Sequence, residues 1–199
     1  MEAFRTQERL ILASGSPRRR DFLAEVGLIF EVRVMDIDET PQSGEQPADF
    51  VARLAREKAR AVAEPGAWVL AADTAVVLDD EILGKPSDAA EACVMLMRLS
   101  GRWHEVWTGF ALCRQATGEL ATKTVCTRVR FLALTPELCR AYVRTGEPLD
   151  KAGAYGIQGK GCFLVPEISG SYTNVVGLPM TEVLEALLHH KVIALLDGL

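Results

Sequence analysis

The stretch "LILASGSPRRRDFLAEVG" (residues 10–27) constrains the fold most, because its pattern predicts a strand, a turn and a helix in direct succession. Residues 9–13, in which four apolar residues follow Arg9, predict a buried strand. Ser16 is a favoured N-cap and Pro17 a favoured first helical residue, so we expect a helix over residues 17–25 that a glycine ends. The sequence therefore opens with a βα unit, which is typical of α/β folds.

Strand and helix patterns alternate along the rest of the chain. Strands are predicted at residues 30–34, 68–73, 75–80, 104–114, 119–132 and 162–165, and helices at residues 47–63, 88–99, 135–146 and 179–190. The two longest strand patterns flank Thr117 and Gly118, which predicts a hairpin. This order favours a three-layer α/β fold with a mixed sheet flanked by helices. Since no linker-like break interrupts it, residues 1–199 are expected to form a single two-lobed domain around a central cleft.

Charge and composition exclude several classes of function. The 199 residues carry a net charge of −5, from 27 acidic and 22 basic residues, whereas a general binder of nucleic acid or anionic membrane needs a basic excess. No segment approaches the roughly 20 apolar residues of a membrane span, and the start does not resemble a signal peptide. The five scattered cysteines are predicted to be small buried apolar residues in a reducing compartment. We therefore expect a cytoplasmic protein with no nucleic-acid or membrane partner.

Three arginines, Arg18, Arg19 and Arg20, stand where the first helix begins. A helix start carries partial positive charge, so cations there are unfavourable unless they are solvated or an anion binds between them. The free amides of the first turn and the guanidinium groups together suit a phosphate. A solvated basic run is the simpler alternative, but the strand–glycine–helix context favours phosphate binding.

Four charged residues elsewhere are candidates for catalysis. Asp73 ends an apolar strand pattern, where a carboxylate is well placed as a general base or metal ligand. Lys85 is constrained between a glycine and a proline, Lys58 lies on the second predicted helix, and Glu39 lies in the acidic loop "DIDET". Each has a simpler interpretation, as a cap, a surface cation or a solvated loop residue. Taken singly, none of them establishes a site.

The glycine-rich segment "YGIQGKGCF" (residues 155–163) matches neither a dinucleotide-binding fingerprint nor a Walker A motif. Its Gln158 offers both a donor and an acceptor, as recognition of a nucleobase requires. No Ser–His or Cys–His pair suggests a covalent route, so attack by an activated water is favoured. The candidates together suit a metal-dependent reaction on a polyphosphate.

Four motifs make the chain resemble the Maf family of nucleoside triphosphate pyrophosphatases: "LILASGSPRR", "RLAREKA", "AADT…LGKP" and "LDKAGAYGIQG…NVVGLP". They occur in the family's order and span nearly the whole chain. The resemblance implies the α/β fold of the inosine-triphosphate pyrophosphatases, a curved mixed sheet flanked by helices with two lobes around a central cleft. It implies hydrolysis of a nucleoside triphosphate between its α and β phosphates. It also implies a divalent cation, Mg²⁺ or Mn²⁺, and a homodimer is expected by analogy.

The resemblance assigns roles to individual positions. It implies that Asp73 is the catalytic base, that Lys58 and Lys85 lie on the phosphate side, and that Glu39 and Asp73 lie near the metal. The phosphate-binding loop of the family corresponds to Ser14, Arg18 and Arg19. The positions that separate its subfamilies correspond to Arg18, Thr74 and Gln158. Arg18, Thr74 and Gln158 resemble the branch that acts on dTTP and UTP.

The expected reaction is in-line attack of water at the α-phosphorus, activated by Asp73 directly or together with the metal. The expected products are the nucleoside monophosphate and pyrophosphate. Two alternatives remain open from sequence. One is the same reaction on 7-methyl-GTP or another modified nucleotide, and the other is a nucleotide-binding regulator of cell division with little turnover.

Overall fold

The computed structural model describes residues 3–62 and 64–196. Its strands are β1 (Phe4–Thr6), β2 (Leu10–Leu12), β3 (Glu31–Val32), β4 (Trp68–Leu78), β5 (Glu81–Leu83), β6 (Trp103–Arg114), β7 (Glu119–Arg130), β8 (Glu167–Ser169) and β9 (Ile193–Leu195). Its α-helices are α1 (Pro17–Glu25), α2 (Pro47–Val62), α3 (Ala89–Leu99), α4 (Pro136–Val143), α5 (Tyr172–Val176) and α6 (Met180–His189). Short 3₁₀ helices occupy Glu147–Asp150, Ala152–Ala154 and Gly159–Leu164.

The main sheet is mixed, as the sequence predicts. Its strand order is β3-β2-β4-β6-β7-β8, with β5 paired to β4. Strand β2 runs parallel to β3 and β4, whereas β5 is antiparallel to β4 and β8 is antiparallel to β7. The predicted hairpin is confirmed, since β6 and β7 are neighbours joined by a turn in which Gly118 has a φ of 71°. A separate antiparallel pair joins β1 to β9.

The chain divides into two compact units. The first unit is drawn from Met1–Asp73, Thr108–Val125 and Gly177–Leu199, and the second from Thr74–Trp107 and Cys126–Val176. Strands β4, β6 and β7 therefore contribute residues to both units.

Both faces of the sheet in the first unit are buried, because successive strand side chains point to opposite sides. On one face Leu10, Leu12 and Leu70 pack with Leu23 of α1 and Val183 of α6. The other face packs against α2. Here the strand side chains are Ile11, Ala13, Val69 and Ala71, and the helix side chains that meet them are Ala55, Ala59 and Val62. Strands buried on both sides explain the unbroken apolar runs in the sequence.

Helix α2 lies unusually close to the sheet at Gly109. A Cβ at position 109 would lie 2.7 Å from both the backbone carbon and the backbone oxygen of Val51 in α2. Real Cβ atoms do not approach backbone so closely, and backbone within a helix has little freedom to move. Gly109 therefore fixes how near α2, with its Lys58, lies to the strands of the first unit.

The second unit has its own apolar core. Buried side chains of α3 and α4, including Leu96, Leu99 and Cys139, pack with Val106 of β6 and with Phe131, which directly follows β7. His104 is buried against this core, and its Nε2 lies 2.7 Å from the Tyr155 hydroxyl oxygen. This core is independent of the two clusters in the first unit.

Several predicted elements differ from the structure. The strand predicted at residues 162–165 is wrong, because residues 162–164 belong to the 3₁₀ helix Gly159–Leu164 and the nearby strand is β8. The strands predicted at 68–73 and 75–80 form one strand, β4, which ends at Leu78, and Asp79 and Asp80 form the turn after it. Strands β1 and β9 and helix α5 were not predicted, since each has only three to five residues. The predicted end of α2 at Ala63 lies outside the described residues.

The expectation that all cysteines are buried holds only in part. Cys113 and Cys139 are buried, Cys93 and Cys126 are half-buried, and Cys162 is exposed. Among residues 3–62 and 64–196, no helix has the length and apolar character that crossing a bilayer requires.

Candidate active site

Ser14 and Asp73 follow neighbouring parallel strands, so the fold brings them to the same edge of the sheet in the first unit. The backbone N–H of Ala13 donates to the Leu70 carbonyl oxygen at 2.8 Å, which continues the β2–β4 pairing to this edge. By alternation along β4, Asp73 points to the same face as Val69, the face that α2 covers. Both Ser14 and Asp73 are buried, with 8% and 7% of their surface exposed.

Lys58 of α2 forms ion pairs with both carboxylates that are predicted from the sequence to bind the metal. Its Nζ lies 2.6 Å from Oδ1 of Asp73 and 2.7 Å from Oε1 of Glu39. The apolar face of α2 includes Leu54, one turn before Lys58, so burial of that face directs Lys58 toward the end of β4. The side chains of Lys58 and Asp73 are mostly buried, whereas the Glu39 side chain is half exposed.

The structure distinguishes the three arginines of α1. Arg19 Nε donates to the Gly177 carbonyl oxygen at 2.7 Å, and its Nη1 donates to the Ala72 carbonyl oxygen at 2.7 Å and to Ser14 Oγ at 3.2 Å. Burial lowers the pKa of Arg19, and the charge of Asp73 opposes that shift. Arg19 therefore joins α1 to the ends of β2 and β4.

Arg18 has a different environment. It is half-buried, and within the part of the chain that the structure describes no hydrogen bond or ion pair occupies its guanidinium group. Its positive charge acts on the adjacent Arg19. The third arginine, Arg20, is exposed and lies 3.5 Å from the carboxylate of Asp21. Arg18 is therefore the arginine of this trio that remains available to a ligand.

The start of α1 also keeps its amide donors. Ser16 occupies the N-cap position, as predicted, but among the described residues its hydroxyl group makes no capping bond. Instead the backbone N–H of Ser16 donates to Ser14 Oγ at 3.3 Å. No acidic residue lies in the first turn, so the partial positive charge of the helix start is uncompensated by the helix itself.

The remaining predicted site residues belong to the second unit. Thr74 follows Asp73 directly in β4 and is half-buried. Lys85 is exposed and lies in the segment after β5. The carbonyl oxygen of the preceding residue, Gly84, accepts a hydrogen bond from the backbone N–H of Gly153 at 3.0 Å. Gln158 is exposed, and its Nε2 donates to the Tyr172 hydroxyl oxygen at 3.0 Å.

The donor set near Lys58 suits a hard divalent cation. Two carboxylates on different segments, Asp73 and Glu39, converge on one ammonium group, so their oxygens can neutralise a cation at that point. Mg²⁺ commonly takes one or two protein carboxylates and completes its coordination with water and phosphate oxygens. Over the described residues, no cluster of three or more His, Cys, Asp or Glu side chains forms a complete metal site. Asp73 and Glu39 therefore fit a metal that the substrate helps to hold.

Sequence reasoning did not identify two residues that organise the glycine-rich segment. Glu147 accepts from the backbone N–H groups of Lys160 and Gly161, and Tyr142 Oη accepts from the backbone N–H of Gly156. The glycines of "YGIQGKG" were the only signal that this segment folds closely around other groups.

Comparison with known proteins gives consistent results. The family model described as Maf-like protein matches residues 9–190. The dTTP/UTP pyrophosphatase of Myxococcus xanthus (strain DK1622) is 57% identical over 178 residues, which cover 88% of this chain and 89% of the relative. The dTTP/UTP pyrophosphatase of Desulfotalea psychrophila is 50% identical over 194 residues, 96% of this chain and 100% of the relative.

A solved structure shares the fold. The Ham1 protein of Staphylococcus aureus matches with a TM-score of 0.52 and 14% identity, over 92% of this chain and 100% of that one. At this identity the likeness concerns the fold alone. From the family match and the close relatives, we conclude that the chain belongs to the family of Maf-like proteins.

Proposed function

We propose that this protein is a nucleoside triphosphate pyrophosphatase that hydrolyses dTTP and UTP to the monophosphate and pyrophosphate. The observation that carries the proposal is the position of Arg18 and the uncapped start of α1 at the sheet edge where Asp73 is buried beside Lys58. Donors for an anion thus lie near a carboxylate able to accept a proton. The dTTP/UTP pyrophosphatases at 57% and 50% identity support the choice of substrate.

Binding of the triphosphate involves the start of α1. The guanidinium group of Arg18 and the backbone amides of the first turn bind phosphate oxygens, because both present donors suited to an anion. Ser14 and Arg19 hold this turn against β4 through the bonds between Arg19, Ser14 and Ala72. Arg18 therefore binds the triphosphate directly, whereas Arg19 is a positioning residue.

A divalent cation, Mg²⁺ or Mn²⁺, would be held by Asp73 and Glu39. When bound, it would neutralise phosphate charge and favour departure of pyrophosphate.

Asp73 acts as the general base. Its carboxylate accepts a proton from the water that attacks the α-phosphorus, and the Lys58 ammonium group orients that carboxylate at 2.6 Å. Lys58 also supplies positive charge that stabilises the negative charge developing in the transition state. Burial of both side chains excludes bulk water and strengthens these electrostatic interactions.

We assign the other predicted residues to recognition. Lys85 binds phosphate oxygens, and Thr74 and Gln158 contact the pyrimidine base. Gln158 suits this role because its exposed amide group provides both a donor and an acceptor. The protein acts in the cytoplasm, and the homodimer expected by analogy stays a prediction.

A ³¹P NMR time course with dTTP and Mg²⁺ or Mn²⁺ tests the bond that is cleaved. Pyrophosphate and dTMP are expected as the first products, and orthophosphate as the first product would contradict α–β cleavage. A panel of triphosphates at equal concentration, including 7-methyl-GTP, tests the base. The same panel is measured with the metal and with a chelator. A metal-dependent enzyme releases pyrophosphate only when the metal is present, whereas a nucleotide-binding regulator binds nucleotide but releases no pyrophosphate in either case.

Asp73→Asn tests the catalytic base, because it preserves the shape of the side chain and removes its basicity. Turnover of dTTP should fall by about 10³-fold, while the affinity for dTTP changes little. Asp36→Asn, at an exposed position in the loop before α2, is the matched control and should retain full turnover. Unchanged turnover in Asp73→Asn would remove Asp73 from this role.

A further inference from the structure

The segment Gly156–Gly161, which we call the Gln158 loop, is folded around a single carboxylate in the second unit. Oε1 of Glu147 accepts from the backbone N–H of Gly161 at 2.9 Å, and Oε2 accepts from the backbone N–H of Lys160 at 2.8 Å. These two bonds join the C-terminal end of the loop to the 3₁₀ helix that starts at Glu147.

The other end of the loop is held by the same network. Tyr142 Oη accepts from the backbone N–H of Gly156 at 3.2 Å and donates to Glu147 Oε1 at 2.9 Å. Tyr142 is only 3% exposed, so its ring fixes this connection to the core of the second unit. Both ends of the loop are therefore hydrogen-bonded to one Glu–Tyr pair, with Gln158 between them.

The glycines of the loop are required by this close approach. Gly159 has a φ of +72°, and a Cβ there would lie 2.6 Å from Glu147 Oε2. A Cβ at Gly161 would lie 2.5 Å from Tyr142 Oη and equally close to the Gly156 carbonyl oxygen. The glycine-rich sequence therefore lets the backbone wrap around the carboxylate and the phenol.

The Gln158 side chain lies outside the network. It is exposed and its Nε2 donates to the Tyr172 hydroxyl oxygen at 3.0 Å. The network thus fixes the backbone on both sides of Gln158 while leaving the side-chain amide accessible to a ligand.

Electrostatics favour the ionised carboxylate. Burial alone would raise the pKa of Glu147, but donation from the backbone of Lys160, from Tyr142 and from the backbone of Gly161 lowers it below its usual value. Glu147 therefore accepts three hydrogen bonds as an anion at neutral pH, and charge-assisted bonds of this kind are strong.

We infer that Glu147 is a positioning residue for substrate selectivity, because its carboxylate holds the loop that presents Gln158 to the pyrimidine base. This inference rests on the proposed function, in which Gln158 contacts the base. Loss of the network would let the loop adopt many conformations, and the cost of ordering it would reduce affinity for the base that Gln158 recognises.

Glu147→Gln tests the inference, because it keeps the size of the side chain but replaces one acceptor oxygen with a donor facing the loop amides. We expect hydrogen exchange at the Lys160 and Gly161 amides to accelerate about tenfold or more. We also expect kcat/KM for dTTP and UTP to fall about tenfold, mainly through KM, with a smaller loss for the poorest triphosphates of the panel. Glu167→Gln, an exposed acidic residue of the same unit paired with Arg130, is the matched control and should change neither readout.

A double-mutant cycle with Gln158→Ala distinguishes positioning from general destabilisation. In the Gln158→Ala background, Glu147→Gln should have no further effect on the preference for dTTP over the poorest triphosphate. If Glu147→Gln does not fold, Tyr142→Phe removes the bond to Gly156 and provides the same comparison. Unchanged amide exchange, or faster exchange with an unchanged substrate preference, would overturn the inference. A wild-type protein that releases no pyrophosphate from dTTP or UTP would instead overturn the proposed function, while the exchange measurement would still report on the network.

Discussion

Arg19 Nη1 donates to the carbonyl oxygen of Ala72 at 2.7 Å. Through this bond a side chain of α1 holds the end of β4 immediately before Asp73. The same guanidinium group reaches Ser14 and Gly177, so it connects three segments that are distant in sequence. The helix start that was proposed to bind phosphate is thus fixed to the strand that carries the proposed base.

The three consecutive arginines should respond differently to substitution by alanine. Arg18→Ala should leave the melting temperature unchanged and raise KM for dTTP by about tenfold or more, because the side chain is available to phosphate. Arg19→Ala should lower stability by roughly 1–3 kcal/mol, since it leaves buried carbonyl oxygens without their donor. Arg20→Ala, at the exposed position, is the control and should change neither. Thermal denaturation and steady-state kinetics on the three variants measure both effects, and equal responses at Arg18 and Arg19 would contradict the assignment.

Lys58→Met should reduce turnover of dTTP by about 10²-fold, because it removes the positive charge that orients Asp73. It also leaves a mostly buried carboxylate without its partner, so the free energy of unfolding should fall by roughly 1–3 kcal/mol. Lys123→Met, which removes an exposed lysine paired with Glu185, is the matched control. Activity assays and urea denaturation check the two outcomes. Full turnover in Lys58→Met would show that Asp73 needs no ammonium group beside it.

Gly109→Ala should destabilise the protein by about 1–3 kcal/mol, because the added methyl group collides with the backbone of α2 at Val51. Displacement of α2 should also lower turnover, since this helix carries Lys58. Gly84→Ala is the control for stability, because a Cβ there meets no described atom within 4 Å. The melting temperatures of the two variants decide the point, and equal values would mean that α2 adjusts without cost.

Stability should decrease between pH 6.5 and pH 4 because of His104. Burial lowers the pKa of His104 to about 4, from a usual value of 6.5. In this window the unfolded chain binds a proton that the native protein does not. The free energy of unfolding therefore decreases as the pH is lowered, by about 3 kcal/mol once the pH is below both pKa values. His104→Gln should flatten this dependence, whereas His189→Gln, at an exposed position, should not. Urea denaturation at a series of pH values measures the slope, and an unchanged slope in His104→Gln would assign the proton uptake elsewhere.

Much of the secondary structure was predictable because it depends on neighbouring residues. Pro17 begins α1 as predicted, and Asp88 caps α3 by accepting from the backbone N–H of Glu91. The segment near Cys162 was mispredicted because its apolar residues resemble a strand, whereas contacts with Glu147 and Tyr142 hold it in a 3₁₀ helix. Strand β1 was missed because its partner β9 lies near the other end of the sequence.

The sequence by itself determined the mixed α/β class, the βα unit at the start, the central hairpin and the family, since these follow from local periodicity, turn residues and motifs. Only the tertiary structure decided that Arg19 is hydrogen-bonded to Ser14, Ala72 and Gly177 while Arg18 remains available. It also decided that Lys58 lies between Asp73 and Glu39. Such contacts join residues far apart in the chain. They depend on how the helices pack against the sheet, which local patterns do not specify.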